Sequence, residues 1–180
     1  MKLSTIKQYK DIADSPLGPA SQQISQAEGH DSWSFASPAQ GKITLLYFGY
    51  TSCPDVCPTT MADLAAALRK LPSDVTDKVW VQFVSTDPHR DTAARLRQWI
   101  QAYSPTFHAG RASISEVIAA ARSYGVYIEK PKVTKHDYEV THGALVLVLN
   151  EHGGAVGYFT ELAGPQAYLK ALPTLTKDYA

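Results

Sequence analysis

The chain is poor in sulfur and carries no excess charge of either sign. Its 180 residues include only two cysteines and two methionines, which excludes a disulfide-rich scaffold. The 17 basic residues balance 17 acidic ones, so the chain has no net field to attract nucleic acid or an anionic membrane surface. Since 44% of the residues are hydrophobic, the chain can still bury a substantial core, and we expect one compact domain.

Long apolar runs and several common catalytic motifs are also absent from the sequence. No stretch is long and apolar enough to cross a bilayer, and the first ten residues lack the apolar block of an export signal. We therefore expect a soluble chain whose only link to a membrane would be an anchor outside these residues. No phosphate-binding glycine loop, paired-carboxylate motif or HExxH occurs, which argues against a nucleotide-binding protein or a hydrolase.

The arrangement of apolar segments predicts an α/β domain after a polar beginning. Residues 1–40 are polar and interrupted by proline and glycine, so we expect a polar tail and an irregular segment with, at most, short edge strands. Residues 41–180 alternate between short apolar runs and amphipathic stretches, which indicates a central mixed β-sheet flanked by helices. Strands are predicted at 42–50, 79–85, 126–128, 144–149 and 155–160. Helices are predicted at 58–71, 92–103, 114–124 and 165–172. We also expect a short element that begins at Phe107 and an exposed loop at 129–137.

The chemistry of the sequence is concentrated in a short loop between the first of these strands and the first helix. Cys53 and Cys57 lie there, separated by three residues. At a helix N-terminus, unpaired backbone N–H groups and the helix dipole stabilise a thiolate over a thiol. Thiolates bind soft ions such as Cu(I) and also attack disulfides, so either role is open to this pair. A passive disulfide is a weaker interpretation, because so small a loop constrains the unfolded chain little.

A metal site needs a third ligand, and His142 is the best placed of the six histidines. It ends a segment that leads into the strand beginning at Ala144, and it reaches the cysteine loop only if that strand lies beside the strand ending at Tyr50. Spacing alone leaves its role open, and two thiolates with one imidazole would suit zinc as well as copper. Four other histidines are interpreted as surface residues: His89, His108, His136 and His152. Of these, His136 is also a candidate to guide copper towards the site. The remaining candidates are interpreted as packing residues: Met61, Trp33, Trp80 and Trp99.

Three regions of the sequence together resemble the signature of the Sco/SenC family. They are CPDVCP within residues 48–60, DPHRDT within residues 85–92, and residues 138–142 before the late strand, and their order and spacing agree with the family. The resemblance extends from about Gly41 to the C-terminus. It implies a thioredoxin-like fold, and copper, as Cu(I) or Cu(II), bound by Cys53, Cys57 and His142.

The second of these regions is interpreted as structural. Asp87 is expected to form an Asp-Pro turn, Asp91 or Thr92 to cap the following helix, and Arg90 to make an ion pair that holds the loop. Asp55, between the two thiols, is either an ordinary turn residue or a group that tunes their charge.

The family resemblance implies a copper metallochaperone that delivers its ion to the binuclear copper centre of cytochrome c oxidase. The expected partners are the copper-accepting subunit of the oxidase, other copper chaperones and thiol reductants. The alternative is a thiol-disulfide oxidoreductase in which Cys53 and Cys57 form a redox pair that reduces the cysteines of that copper site. The implied location is the periplasm, tethered to the outer side of the cytoplasmic membrane, or else the mitochondrial intermembrane space.

Overall fold

The computed structural model describes residues 23–26, 32–36, 38–134 and 138–180, and within them seven strands form one sheet. Its strands are β1 (Gln23–Gln26), β2 (Ser32–Ser34), β3 (Ile43–Gly49), β4 (Val79–Ser85), β5 (Phe107–Arg111), β6 (Val146–Leu149) and β7 (Ala155–Phe159). The helices are α1 (Val56–Leu68), α2 (Ser73–Thr76), α3 (Ala93–Gln101), α4 (Ile114–Ser123) and α5 (Pro165–Tyr179). The strand order across the sheet is β2-β1-β5-β4-β3-β6-β7.

Strand β3 lies at the centre of the hydrophobic core because helices cover both of its faces. All seven of its residues are buried. One face of the sheet packs against α1, α3 and α5, and the other packs against α4. Full burial on both sides explains why this strand reads as a continuous apolar run rather than an alternating one. The predicted mixed sheet flanked by helices is confirmed.

The directions of the strands decide which loops meet. β3 pairs with β4 in parallel, so the loops that follow these two strands leave from the same end of the sheet. β6 pairs with β3 in the opposite direction, so the segment that precedes β6 lies at that end too. The cysteine loop, the loop at residues 85–92 and the segment carrying His142 therefore share one end of the sheet, which we call the carboxyl end of β3.

In the middle of the chain, one predicted strand and the predicted position of His108 are wrong, whereas the short element predicted at Phe107 is present as β5. Residues 126–128 do not form a strand, since Ile128 makes only an isolated bridge with His142. His108 lies in β5 rather than in a surface loop, and its ring stacks on Trp80 with 3.7 Å between ring centroids. The short run at 107–111 lacks clear apolar alternation, and it becomes a strand because β4 and β1 pair with it on both sides. Residues 129–134 contain no helix or strand, whereas residues 135–137, with His136, lie outside the described part of the chain.

The last helix is longer than the sequence predicts. It continues through Pro173 to Tyr179, although proline in a helix interior removes one backbone hydrogen bond. Leu172 and Leu175 are buried on either side of the proline, and this burial favours continuing the helix along the core. None of the helices in the described ranges is long and apolar enough to span a membrane.

Part of the chain before residue 41 belongs to the sheet and its core. β1 pairs with both β2 and β5, and the side chains of Trp33 and Phe35 are 4% and 0% exposed. The Phe35 ring lies 6.3 Å from the ring of Phe48 and 6.1 Å from that of Tyr124, measured between centroids. The division of the chain at residue 40 stays a prediction, but these two aromatic residues pack with the helices and strands that follow it.

We expect Phe35→Ala to lower the free energy of unfolding by about 3–5 kcal/mol, because it removes a buried aromatic ring and leaves a cavity. Chemical denaturation of the full chain followed by circular dichroism measures this change. The matched control is Gln40→Ala, whose exposed side chain should alter stability by no more than about 0.5 kcal/mol. A loss below about 1 kcal/mol for Phe35→Ala would show that the segment before residue 41 is not part of the cooperative core.

Candidate metal centre

Three side chains converge at the carboxyl end of β3. The sulfur atoms of Cys53 and Cys57 and the imidazole of His142 offer ligand atoms that all lie within 4.8 Å of one another. Cys57 is buried and the other two are half-buried, and both cysteines are free thiols. His142 can reach the cysteine loop only if the strand that follows it lies beside β3. The antiparallel pairing of β3 with β6 confirms this arrangement. The structure therefore brings together all three residues predicted for the site.

The sulfur of Cys53 occupies the position of a cap at the start of α1. The Asp55 side chain makes no capping hydrogen bond to this helix. Hydrogen bonds from the Cys57 thiol and from the backbone N–H groups of Asp55 and Cys57 instead lower the pKa of Cys53 to about 5, against the opposing effect of partial burial. Cys53 is consequently a thiolate at neutral pH, as expected for a cysteine at a helix N-terminus.

Cys57 is the protonated partner in this pair. Its hydrogen bond to Cys53 and its burial raise the pKa of its thiol well above the ordinary value. The hydroxyl of Tyr47 donates to the Cys57 sulfur over 3.7 Å, from a fully buried ring. One thiol of the pair is thus ionised, while the other keeps its proton.

Gly49, at the end of β3, makes the space for the Cys57 sulfur. A β-carbon at this position would lie 2.9 Å from that sulfur and 2.8 Å from the ring of Tyr47, both closer than real contacts allow. Any larger residue would push the thiol away from the sheet. Neither Gly49 nor Tyr47 was recognised from the sequence, where both look like ordinary members of a buried strand.

His142 is positioned by backbone hydrogen bonds to a neighbouring segment of the chain. The N–H of Gly143 donates to the carbonyl of Tyr127 over 2.7 Å, and the N–H of Glu129 donates to the carbonyl of Thr141 over 2.9 Å. The Nδ1 atom of His142 lies 3.2 Å from the carbonyl oxygen of Gly143. Because a carbonyl can only accept, this contact places a proton on Nδ1, so that the neutral form of the ring carries its lone pair on Nε2.

The lone pair on Nε2 of His142 faces the cysteines. Nε2 lies 3.5 Å from the Cys57 sulfur. The rings of Tyr47 and Tyr50 meet the imidazole edge-on, with centroid distances of 6.0 and 5.8 Å, and they restrict its orientation. A thiolate, a thiol and an imidazole nitrogen thus point at one small volume, which is a donor set suited to a soft metal ion.

The buried carboxylate of Asp91 holds the beginning of the cysteine loop. It accepts hydrogen bonds from the Thr51 hydroxyl at 2.5 Å, from the Thr51 backbone N–H at 3.2 Å and from the Ser85 hydroxyl at 2.7 Å. Burial raises the pKa of this carboxyl, and the hydrogen bonds oppose that effect. The helix cap that the sequence allowed for either Asp91 or Thr92 is made by Thr92.

Among the described residues, the remaining candidates lie where the sequence placed them, with the exception of His108. Met61 is fully buried in the core, and His89 and His152 are exposed. Arg90 and Asp87 form the expected ion pair. His136 lies outside the described residues, so its role in guiding copper stays a prediction.

The sequence of this chain matches a known protein family over most of its length. The model of the family described as SCO1/SenC matches residues 30–177. The chain belongs to the SCO1/SenC family. This confirms the family recognised from CPDVCP, DPHRDT and the late histidine, together with the thioredoxin-like fold that it implied.

Individual relatives agree with this assignment. The mouse protein named "Protein SCO2 homolog, mitochondrial" is 35% identical over 123 residues, which cover 67% of this chain and 48% of the mouse protein. The Arabidopsis thaliana "Protein SCO1 homolog 1, mitochondrial" is 34% identical over 66% of this chain and 36% of its own length. The structure of Bradyrhizobium japonicum ScoI with copper bound superposes with a TM-score of 0.73 at 32% identity, over 84% of this chain and 95% of that one. The chain thus matches half or less of the length of these two curated SCO1/SenC relatives.

We expect the alkylation rate of Cys53 to follow its thiolate fraction, with a midpoint near pH 5, because the Cys57 thiol and the helix amides stabilise the ionised form. Iodoacetamide labelling of the SCO1/SenC chain across pH, read by peptide mass spectrometry, measures this midpoint. Cys57→Ala should move the midpoint to higher pH by removing the largest stabilising hydrogen bond.

The matched control for this experiment is Cys53→Ser, in which the buried Cys57 should label slowly at neutral pH. A Cys53 midpoint near 9, the ordinary thiol value, would contradict the stabilisation described.

Proposed function

We propose that this SCO1/SenC chain is a copper metallochaperone that holds one copper ion on Cys53, Cys57 and His142. The observation that carries the proposal is the convergence of two sulfur atoms and an imidazole nitrogen within 4.8 Å at one end of the sheet. Soft thiolate ligands favour Cu(I), and an imidazole also suits copper. The 32% identical ScoI from Bradyrhizobium japonicum, whose structure contains copper, supports copper rather than zinc as the cargo.

The protonation states of the free site define what copper binding requires. Cys53 is already a thiolate, and His142 already directs Nε2 towards the sulfur of Cys57. Cys57 has to lose its proton before it can ligate a metal. Binding of each Cu(I) should therefore release about one proton at neutral pH, which comes from Cys57.

Delivery of the ion would proceed by ligand exchange. Cys53 is half-buried and the neighbouring Pro54 and Asp55 are exposed, so an acceptor can approach from the side of the cysteine loop. Each bond from copper to this chain is then replaced by a bond to an acceptor thiolate or imidazole, and copper keeps its oxidation state. We propose the binuclear copper centre of cytochrome c oxidase as the destination, with the copper-accepting subunit as partner.

The location proposed for this chain follows from the same role. Both of the curated relatives described above carry the word mitochondrial in their names. A copper chaperone for the oxidase works on the outer side of the membrane that holds the enzyme. We propose the periplasm, with a membrane tether, as the location, and the mitochondrial intermembrane space as the alternative.

Anaerobic titration of the reduced protein with Cu(I), in competition with a chromophoric chelator, tests the copper site. We expect one equivalent to bind, and Cys53→Ser, Cys57→Ser and His142→Ala each to weaken binding by at least about tenfold, since each removes a ligand. The protein with a Cys53–Cys57 disulfide should not bind Cu(I), because no thiolate remains.

The matched control for the titration is His152→Ala, which removes an exposed histidine from a turn and should leave copper binding unchanged. Equal uptake by the dithiol and disulfide proteins, or full affinity in His142→Ala, would contradict the three-ligand site.

A second function is favoured by the unequal thiols. On this view the Cys53 thiolate attacks a disulfide of the oxidase copper site, forming a mixed disulfide and releasing one partner thiolate. Cys57 then loses its proton and attacks the Cys53 sulfur, which releases the second partner thiolate and leaves a Cys53–Cys57 disulfide. The partner gains two electrons, and its two thiolates take up two protons, one of them supplied by Cys57.

The two functions differ in their need for the histidine. Reduction of a disulfide-bonded peptide that mimics the acceptor site should be abolished by Cys53→Ser. If the main role is disulfide reduction, His142→Ala should keep most of the reduction rate. If the main role is copper binding, His142→Ala should lose copper affinity whatever its rate of reduction.

A further inference from the structure

The segment that carries His142 has no regular secondary structure of its own to hold it. Among the described residues from 138 to 145, none belongs to a helix or a strand, and His142 makes only an isolated bridge. That bridge and its hydrogen bonds tie it to residues 127–129, which are themselves irregular. A further contact is therefore needed to hold this segment against the cysteine loop.

A cluster of Asp87, Arg90 and Tyr138, which we call the clamp, supplies this contact. The Asp87 carboxylate is fully buried, and the Tyr138 hydroxyl donates to it over 2.7 Å. The Arg90 guanidinium pairs with the same carboxylate and donates to the Tyr138 backbone carbonyl over 2.8 Å. It also lies over the Tyr138 ring, 3.8 Å from its centroid. Both the side chain and the backbone of Tyr138 are thus fastened to the loop at residues 85–92.

The clamp reaches the metal site through Tyr50. The guanidinium of Arg90 lies 5.7 Å from the centroid of the Tyr50 ring, and that ring meets the imidazole of His142 edge-on at 5.8 Å. Arg90 therefore lies beside Tyr50, the residue that follows β3, on one side and contacts the histidine segment on the other. The cysteine loop is held separately, by Asp91 through Thr51 and by Arg95 through Thr51 and Ser52.

We infer that Arg90 is a positioning residue that sets the place of His142 relative to the two thiols, with Asp87 and Tyr138 fixing its guanidinium. The inference rests on the proposed function. Because the two sides of the site are anchored by different residues, weakening the clamp should release the histidine and leave the thiols in place. Loss of the clamp would then convert a site of two sulfurs and one nitrogen into a site of two sulfurs.

The informative variant is Arg90→Lys. Lysine keeps a positive charge beside the buried Asp87 carboxylate, so it avoids leaving that charge uncompensated. It cannot reproduce the planar fork that reaches both the carboxylate and the Tyr138 carbonyl, or the position of the guanidinium over the ring. Tyr138→Phe is the milder second variant, because it removes only the hydroxyl that donates to Asp87. Arg97→Lys, at an exposed position of α3, is the matched control.

Hydrogen–deuterium exchange of the copper-free protein tests the inference without a metal. We expect Arg90→Lys to accelerate exchange of the Gly143 and Glu129 amides about tenfold, since these hydrogen bonds depend on a fixed histidine segment. Tyr138→Phe should act in the same direction with a smaller effect. Exchange in β3 and β4, and the alkylation rate of Cys53, should match the wild type and Arg97→Lys.

Electron paramagnetic resonance of the Cu(II)-loaded protein provides a spectroscopic signature of the nitrogen ligand. The nitrogen hyperfine coupling from His142 should be present in the wild type and in Arg97→Lys, and lost or reduced in Arg90→Lys. Unchanged coupling and unchanged amide exchange in Arg90→Lys would overturn the inference. Uniformly faster exchange throughout the sheet would overturn it too, because Arg90 would then serve general stability.

Failure of the proposed function is distinguishable from failure of this inference. A wild-type protein that binds no copper refutes the chaperone, whereas the exchange experiment on the copper-free protein still decides whether Arg90 positions the histidine segment.

Discussion

The antiparallel pairing of β6 with β3 is the constraint on which the rest of the site depends. It brings His142 to within 3.5 Å of a cysteine 85 residues earlier in the chain. The register aligns Tyr47 with Val146, so the segment before β6 lies over the end of β3 where the cysteine loop begins. Since β3 and β6 are buried on both faces, a slip of this register would exchange the side chains that pack in the two layers of the core, and the close packing there disfavours it. The stability of the core and the geometry of the site thus have the same origin.

The two thiols of the site differ because the fold treats them differently. Cys53 is half-buried and receives hydrogen bonds from the start of α1, so its pKa is lowered. Cys57, the second residue of α1, packs against Gly49 and Tyr47 and keeps its proton. Both proposed functions use this difference, since a ready thiolate begins either metal binding or disulfide exchange, and a protonated partner completes the reaction.

The loop at residues 85–92 acts as a support between the two halves of the site. Its two buried carboxylates face different partners, because Asp91 accepts from Thr51 at the cysteine loop and Asp87 accepts from Tyr138 on the histidine segment. From the sequence these residues suggested a turn, a cap and an ion pair. The ion pair is present, the cap is made by Thr92 alone, and the cross-loop contacts add a role that local sequence does not reveal.

The sequence by itself determined the elements that depend on local patterns. The buried strand at Val79–Ser85 and the approximate bounds of β3, α3 and α4 follow from apolar periodicity, and the cysteine loop follows from its place before a helix. The family followed from three short motifs, and with it the set of candidate ligands. Only the tertiary structure decided that His142 lies beside Cys57, that Gly49 makes room for the sulfur, and that Arg90 joins the two loops. These are contacts between residues far apart in the chain, and they form because strand pairing and burial favour them, whereas local periodicity carries no information about which strands become neighbours.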